Sequence, residues 1–474
     1  MRVLLVYSDV SGVERYGARK FYHGVAYLSA VLKHAGHDTG LLYMQRELSP
    51  EEFLSEIDAY SPDLVGFSST THQHPFVERY AGVLKERRPS IFVLVGGTHS
   101  TLMPEGVAAC DSIDAVCVGE GEYAVLELVE RLEQGREYFD VRNLWIRREG
   151  ELVRNPLRPL IADLDTLPFA DREVFDYEEM LARNDGWIDM MSGRGCPYSC
   201  SYCCNPGLKK RFAGLGKYVR FRSVGHVMSE IRAIRQSFAV KVVNFQDDTF
   251  TLDRNWTLAF CDAYGREFEY PFWINTRVER IADDEEVVAA LAGAGCQGIR
   301  VGIESGNEWL RTNILKRRMS NDDIARAFRL ARSYGLKLYS CNMLGLPGET
   351  AEMVQETIEL NRRLEPDEFQ FSVFYPYPMT ELYEQTVGKG MLREGASLTS
   401  YYAKGSVLDL PDLTPAELER GYEGFVSLKR ELALKRRSPL KYRVYKLLSV
   451  FVGGDIDRVR ETLHRLKARL RRQS

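Results

Sequence analysis

From residue 1 to about 140 the chain alternates short, unbroken apolar runs with longer stretches in which apolar residues recur every three or four positions. Residues 3–7, 63–68, 91–95 and 115–118 are runs rich in Val, Leu, Ile, Ala and Phe. Runs of that length without polar alternation predict strands buried on both faces. Residues 24–34 have helical spacing, and glycine followed by a helical pattern comes after the later runs. Strands alternating with helices predict a parallel sheet covered on both sides. In such sheets the loops at the carboxyl ends of the strands form the ligand crevice. Those loops are residues 8–22, 68–75, 96–104 and 119–123, and they are rich in Gly, Ser, Thr and His.

The alternation then stops. Residues 141–185 contain Pro156, Pro159 and Pro168 and read as a linker. It resumes at Trp187, with strand candidates at 188–192, 242–246, 272–276, 298–303, 337–342 and 370–374. Six βα-type units predict a partial or complete (β/α) barrel. The last 75 or so residues lose the strand signal and become helical and basic. The expectation is an α/β chain in four parts: a Rossmann-like module over 1–140, a linker over 141–185, a partial barrel over 186–395 and a basic helical region over 396–474.

Composition adds exclusions. At 474 residues the chain is long enough for two or three domains. With 45% hydrophobic and 27% charged residues it has the make-up of a globular protein, and a net charge of −4 argues against wholesale nucleic-acid binding. Residues 1–10 read as a first strand and not as a signal peptide. No window approaches the roughly 20 apolar residues of a membrane span. Nine cysteines are too sparse for a disulfide scaffold. A reducing, cytoplasmic location is expected.

Three of the cysteines fall within eight residues, in Gly195-Cys196-Pro-Tyr-Ser-Cys200-Ser-Tyr-Cys203-Cys204. Thiolates spaced four and three apart can wrap one corner of a [4Fe–4S] cubane, each on a different iron, leaving one iron open. A structural zinc site is the alternative, but zinc wants a fourth protein ligand in a second nearby pair. Cys204, adjacent to Cys203, is expected to point elsewhere.

CxxxCxxC with an aromatic before its last cysteine, here Tyr202, resembles the signature of the radical S-adenosylmethionine (SAM) superfamily. The resemblance implies a cluster held by Cys196, Cys200 and Cys203, with SAM on the open iron and Tyr202 beside the adenine. Further matches follow in order: Gln246-Asp247-Asp248-Thr249-Phe250, Gly302-Ile303-Glu304-Ser305-Gly306, Gly345-Leu-Pro347-Gly348-Glu349-Thr350 and Tyr375-Pro376-Tyr377-Pro378. They imply Asp247 and Asp248 near the SAM amino end, Glu304 near its ribose and Arg277 near its carboxylate. Plainer readings stand beside these: a helix cap for Asp247, an ordinary salt bridge for Arg277, simple turns for the glycines and prolines.

Gly96-Gly97-Thr98-His99 with Pro104-Glu105, and Val118-Gly119-Glu120-Gly121-Glu122, are similar to the cobalamin-binding subgroup of that superfamily over residues 1 to about 400. In that subgroup the corrin lies over the strand ends. The resemblance implies Ser68, Thr70, Thr71, Gly96, Gly97, His99, Gly119 and Glu120 as cobalamin-binding residues, with Ser69 as a further donor. Glycine lets backbone approach a flat ring closely. The DxHxxG loop of cobalamin mutases is absent, so His72, His74 and His99 are candidates for the lower face, although the subgroup often binds cobalamin without a protein histidine on cobalt. The implied activity is reductive cleavage of SAM to a 5′-deoxyadenosyl radical and, with cobalamin, methylation of an unactivated carbon of a small molecule or lipid. A one-electron donor of flavodoxin or ferredoxin type is implied as partner. Ring closure or rearrangement is the alternative outcome, and a corrinoid or redox sensor the non-catalytic one. From Lys429 to Ser474 there are 15 lysines and arginines against 4 acids. That tail is expected either to cap the fold or to touch an anionic membrane surface.

Overall fold

A computed structural model describes residues 1–10, 20–395, 404–452 and 459. By internal contacts the chain falls into two units. The first comprises Met1–Thr276, Ala289–Gln297 and Tyr375–Tyr402, and the second Arg277–Val288, Gly298–Phe374 and Ala403–Ser474.

The first unit opens with a seven-stranded sheet built from β1 (Arg2–Ser8), β2 (Asp38–Met44), β3 (Leu64–Ser68), β4 (Phe92–Gly96), β5 (Ala115–Cys117), β6 (Leu144–Arg148) and β7 (Glu151–Arg154). The order is β2-β1-β3-β4-β5-β6-β7. Strands β1 to β5 pair in parallel, while β6 and β7 add in antiparallel fashion. All residues of β1 beyond Arg2 are buried. Successive side chains point to opposite faces, so both faces are covered, as the unbroken apolar run predicts. Val65, Phe67, Val77, Tyr80, Val93 and Val95 belong to its main core, and each such large side chain contributes about 1.5–3 kcal/mol on burial. The helix Pro50–Tyr60 shows how locally the crossovers are encoded. Ser49 and Glu52 form a reciprocal capping box, Pro50 occupies the first turn, and Ser61 at φ 53° ends it. Because β1 pairs with both β2 and β3, the winding reverses there, and the switch opens a crevice at the carboxyl ends of β1 and β3.

Two features depart from the sequence pattern. Strand β2 was not foreseen, because Asp38, Thr39 and Gly40 break its apolar run at the sheet edge. Residues 144–154 lie inside the stretch read as linker but form the hairpin β6–β7, which completes the first sheet.

Onward come β8 (Trp187–Met190), β9 (Gly193–Arg194), β10 (Arg220–Phe221), β11 (Val242–Phe245), β12 (Phe272–Thr276), β13 (Cys296–Glu304), β14 (Lys337–Leu344) and β15 (Glu368–Val373). Six of them form a half-barrel sheet ordered β15-β14-β13-β12-β11-β8, and β9 pairs with β10 antiparallel. Within the second unit the helix Pro415–Arg437 lays Leu418, Phe425 and Leu428 on a core with Leu344, Val354, Ile358 and Phe369. No described helix is long and apolar enough to cross a membrane.

Candidate functional site

The crevice of the first unit encloses a cavity of about 450 Å³. One wall comes from the first sheet: Leu5, Gly66 and Ser68 from β1 and β3, then Gly96, Gly97, Gly119 and Glu120 from the turns that follow β4 and β5. The other comes from residues 191–252, including Gly193, Arg194, Gly195, Cys204, Asn205, Asp247, Asp248 and Thr249. Gly97 lies at φ 102°, and a Cβ there would meet the Ser69 carbonyl oxygen at 2.6 Å and the Ser69 nitrogen at 2.8 Å. Only glycine lets this backbone fold so tightly into the crevice floor.

The cysteine loop is anchored before it begins. Asp247, at the end of β11, accepts hydrogen bonds from Ser192 N (3.0 Å), Ser192 Oγ (2.8 Å) and Gly193 N (2.7 Å). Burial lifts this carboxyl to about 6 in spite of those donors. Its role here is to fix the backbone that leads into Cys196. Cys196 and Cys200 are buried and Cys203 is half-buried. The Cys196 thiol sits 4.0 Å from Thr249 Oγ1, and burial raises it. The Cys203 sulfur is pulled the other way, first by the Cys204 thiol that donates to it, then by the backbone and side-chain amides of Asn205, each 3.5 Å away. Lowering favours the thiolate, the form that ligates metal. Asn205 also donates to Asp248 Oδ2 (3.1 Å) and accepts from Tyr218 Oη (2.7 Å).

Cys204 therefore does not point elsewhere, as its adjacency to Cys203 suggested. It occupies the cap of the helix Asn205–Arg211 at φ −70°, ψ −21°. In helical backbone neighbouring side chains are about 100° apart, not opposed as on a strand, so both thiols stay on one side and Cys204 lines the cavity.

These donors fit an iron–sulfur cubane: three cysteines on one short loop, with the Cys203 sulfur held toward the thiolate form, can each take a separate iron. The crevice fits a broad, amide-rich ligand. Its floor is glycine, and Glu122 Oε2 at the cavity wall is buried without a hydrogen-bond partner among the described residues. Buried polar atoms are normally satisfied, so this oxygen marks where a ligand's donor would go.

Above the floor runs a charged clasp. Arg194 Nη1 donates to Glu120 Oε1 at 2.8 Å and Arg194 Nη2 to Glu122 at 2.6 Å. Arg220 donates to both Glu120 oxygens at 3.1 and 2.9 Å, and Ile161 N adds a bond at 2.8 Å. The glutamate of the β5 turn is thus tied to the strands that flank the cysteine loop.

Of the eight residues expected to meet cobalamin, Ser68, Gly96, Gly97, Gly119 and Glu120 line the cavity, and Thr70, Thr71 and His99 do not. His99 bonds Thr71 Oγ1 at 3.2 Å and stacks on His74 at 4.4 Å, and burial pushes both imidazoles down to about 4. His72 bonds Tyr377 at 3.0 Å. Of the residues expected to meet SAM, Asp247 and Asp248 line the cavity, and Tyr202 is half-buried in the cysteine loop. Arg277 and Glu304 belong to the second unit. There Arg277 pairs with Glu279 at 2.6 Å, and Glu304 holds a left-handed φ of 66° beside Arg317 at 3.8 Å. A non-glycine residue held so costs of order 1–3 kcal/mol and marks functional sites. Sequence reasoning missed His23, Arg194 and Tyr218 on the cavity wall. The only signal for His23 was its place before Gly24, at the start of the helix that follows the first crevice loop.

Fold and site define a protein with a corrinoid-type crevice joined to a half-barrel that presents a cluster motif. The model of the B12 binding domain matches residues 21–129, and that of the Radical SAM superfamily matches residues 190–360. The chain belongs to the cobalamin-binding radical SAM enzymes. It is 29% identical over 389 residues to an uncharacterized methyltransferase of Pyrococcus horikoshii, covering 81% of this chain and 82% of that one. It is 28% identical over 398 residues to the anaerobic magnesium-protoporphyrin IX monomethyl ester cyclase of Rubrivivax gelatinosus, covering 81% and 70%. The radical SAM methyltransferase TsrM of Kitasatospora setae, solved with cobalamin and a [4Fe–4S] cluster, superposes with a TM-score of 0.67 at 21% identity, covering 89% and 85%. That similarity speaks to the fold.

Proposed function

We propose that this chain is a cobalamin-dependent radical SAM methyltransferase that modifies an unactivated carbon of a small-molecule or lipid substrate. One observation carries the reading: the glycine floor of the B12-binding module lines the same cavity as Gly195 and Cys204, the residues on either side of the loop that bears Cys196, Cys200 and Cys203. In this reading residues 1–140, completed by the hairpin of residues 144–154, hold the corrinoid, the rest of 141–185 connects, 186–395 form the radical SAM half-barrel, and 396–474 form a basic helical region. Cys196, Cys200 and Cys203 hold the cluster. Asp247, Asp248, Tyr202, Arg277 and Glu304 are the SAM residues, and Ser68, Gly96, Gly97, Gly119 and Glu120, with Thr70, Thr71 and His99, are the corrinoid residues.

When bound, SAM and cobalamin supply the hydrogen abstraction and the methyl group; the protein supplies position and dryness. Asp247 fixes the entry to the cysteine loop, Asn205 donates to the Cys203 sulfur, and the Glu120 clasp holds that loop against the crevice wall. A one-electron donor of flavodoxin or ferredoxin type completes the reaction. A second reading, radical ring closure on the same architecture, is favoured by the cyclase similarity over 81% of the chain. The described part of the tail supports contact with an anionic surface. Along the helix Pro439–Val452, Leu440, Val444 and Leu447 are exposed among Lys441, Arg443 and Lys446, and each basic side chain near such a surface contributes on the order of 1 kcal/mol. Salt-sensitive binding to anionic liposomes, lost on deleting residues 436–474, is the expected result; full-length protein that ignores them at low salt leaves the tail a cap.

The deciding experiment is anaerobic reconstitution with iron, sulfide and hydroxocobalamin, followed by reduction with methyl-deuterated SAM. Expected are about four iron per chain, retained cobalamin, 5′-deoxyadenosine, and a deuterated methyl group on product. 5′-Deoxyadenosine without methyl transfer would favour the cyclase reading. Neither 5′-deoxyadenosine nor retained cobalamin would end the proposal.

A further inference from the structure

One histidine of the crevice differs from all those the sequence singled out. His23 opens the helix His23–His34, reached from the carboxyl end of β1, where the sheet changes winding direction. It lines the cavity with Gly66, Ser68, Gly97 and Arg194. Its Nε2 is shut off from solvent and has no hydrogen-bond partner among the described residues. A buried polar atom left unmatched is costly, so its persistence in a ligand crevice points to a partner that arrives with the ligand.

We propose that His23 Nε2 is an axial ligand to the cobalt of a corrinoid bound in this crevice. The proposal rests on the reading of the crevice as a corrinoid site. Coordination needs a neutral imidazole with a free lone pair. Burial pushes His23 down to about 3, and the guanidinium groups of Arg172, Arg222 and Arg194 push in the same direction. Both effects disfavour the protonated ring, the form that cannot coordinate. Of the other histidines, His72 is bonded to Tyr377 and His99 to Thr71, while His74, whose Nδ1 is likewise buried without a partner among the described residues, packs on His99. None of the three lines the cavity.

The test is electron paramagnetic resonance of the full-length protein loaded with hydroxocobalamin and reduced to the cobalt(II) state, with bound cobalamin counted by absorbance. A single axial ¹⁴N ligand splits each cobalt line into a triplet. The expected triplet becomes a doublet when the protein is grown on ¹⁵N-histidine. It is lost in His23→Ala and His23→Gln and kept in His34→Asn, at the exposed far end of the same helix. The label itself needs no variant, so a folding defect in one substitution leaves the result intact. Unsplit lines with cobalamin bound would overturn the assignment. So would a triplet indifferent to labelled histidine, which would belong to the nucleotide base, or a label-sensitive one that survives both His23 variants. Failure to retain any cobalamin would instead overturn the corrinoid reading and this assignment with it.

Discussion

Replacing Glu120 with alanine is expected to cost the protein about 3–5 kcal/mol, because it breaks a buried ion pair from one side. The carboxylate has 15% of its side chain exposed, against 5% for Arg220 and 19% for Arg194. Without it Arg194 keeps Glu122, and among the described residues Arg220 keeps only the Ile161 carbonyl at 2.7 Å. A guanidinium so buried and left without its anion is the main expense. Glu120→Gln preserves the shape and removes the charge, so it should lose less, and Glu120→Ala combined with Arg220→Met should recover part of the loss. Urea denaturation of the cofactor-free protein, followed by tryptophan fluorescence, measures each term of this cycle. The pH dependence has a definite sign. Burial alone would raise the Glu120 carboxyl, but the Arg220 hydrogen bond and the charges of Arg194 and Arg220 outweigh it and hold it below the ordinary carboxylate value. Its contribution is therefore present above the unfolded-state value and fades as pH falls through the lowered one. A loss below about 1 kcal/mol for the alanine variant, the yield of a solvated surface pair, would refute the clasp.

Gly97→Ala should cost roughly 2–5 kcal/mol, from its Gly-only backbone and the collision with Ser69, and should lower cobalamin retention. Gly135→Ala, also at positive φ but with nothing within 4 Å, should cost less and leave retention alone; equal effects would argue against a crowded floor. Cys200→Ala is expected to abolish both iron loading and SAM cleavage, and Cys204→Ala to retain them; loss of the cluster on removing Cys204 but not Cys203 would reverse the ligand assignment. Glu349 is buried, accepts from Gly345 N at 2.6 Å and Leu346 N at 3.1 Å, and burial lifts its carboxyl to about 8. Its folded-state value is raised, so the stability it lends is full below the unfolded value and drains away as pH climbs through about 8, at up to roughly 1.4 kcal/mol per pH unit. Glu349→Gln should flatten that slope in melting curves from pH 5 to 8.5, and an unchanged slope would show that the proton is not held there.

The strands of the crevice were legible because parallel strands buried on both faces leave unbroken apolar runs, as in residues 3–7 and 91–95. The cysteine loop was legible because its spacing is local. Edge elements were not: β2 begins with Asp38, Thr39 and Gly40, and the hairpin β6–β7 carries Arg147, Arg148, Glu149 and Glu151 on a strand pair at the sheet margin. Its charges look like linker until the antiparallel pairing to β5 is seen. The cavity wall was half legible. Gly96, Gly97, Gly119 and Glu120 announce themselves after their strands, whereas the Arg194 and Arg220 clasp depends on partners 74 and 100 residues away. No local pattern encodes a contact of that range. His23 lay hidden for a different reason: a lone histidine before a helix looks like any other until the burial of its nitrogen is known.

The grip of Asp247 on Ser192 and Gly193 bears on how the enzyme would come to life. A loop that must be ordered around an incoming cluster spends about 1–2 kcal/mol per residue in lost backbone freedom. Here the approach to Cys196 is already pinned to the end of β11 by three protein hydrogen bonds that involve no iron. Those bonds lower the freedom that the approach to the loop has left to lose, so less of the thiolates' affinity for iron is spent on organising the chain and more on holding the cluster.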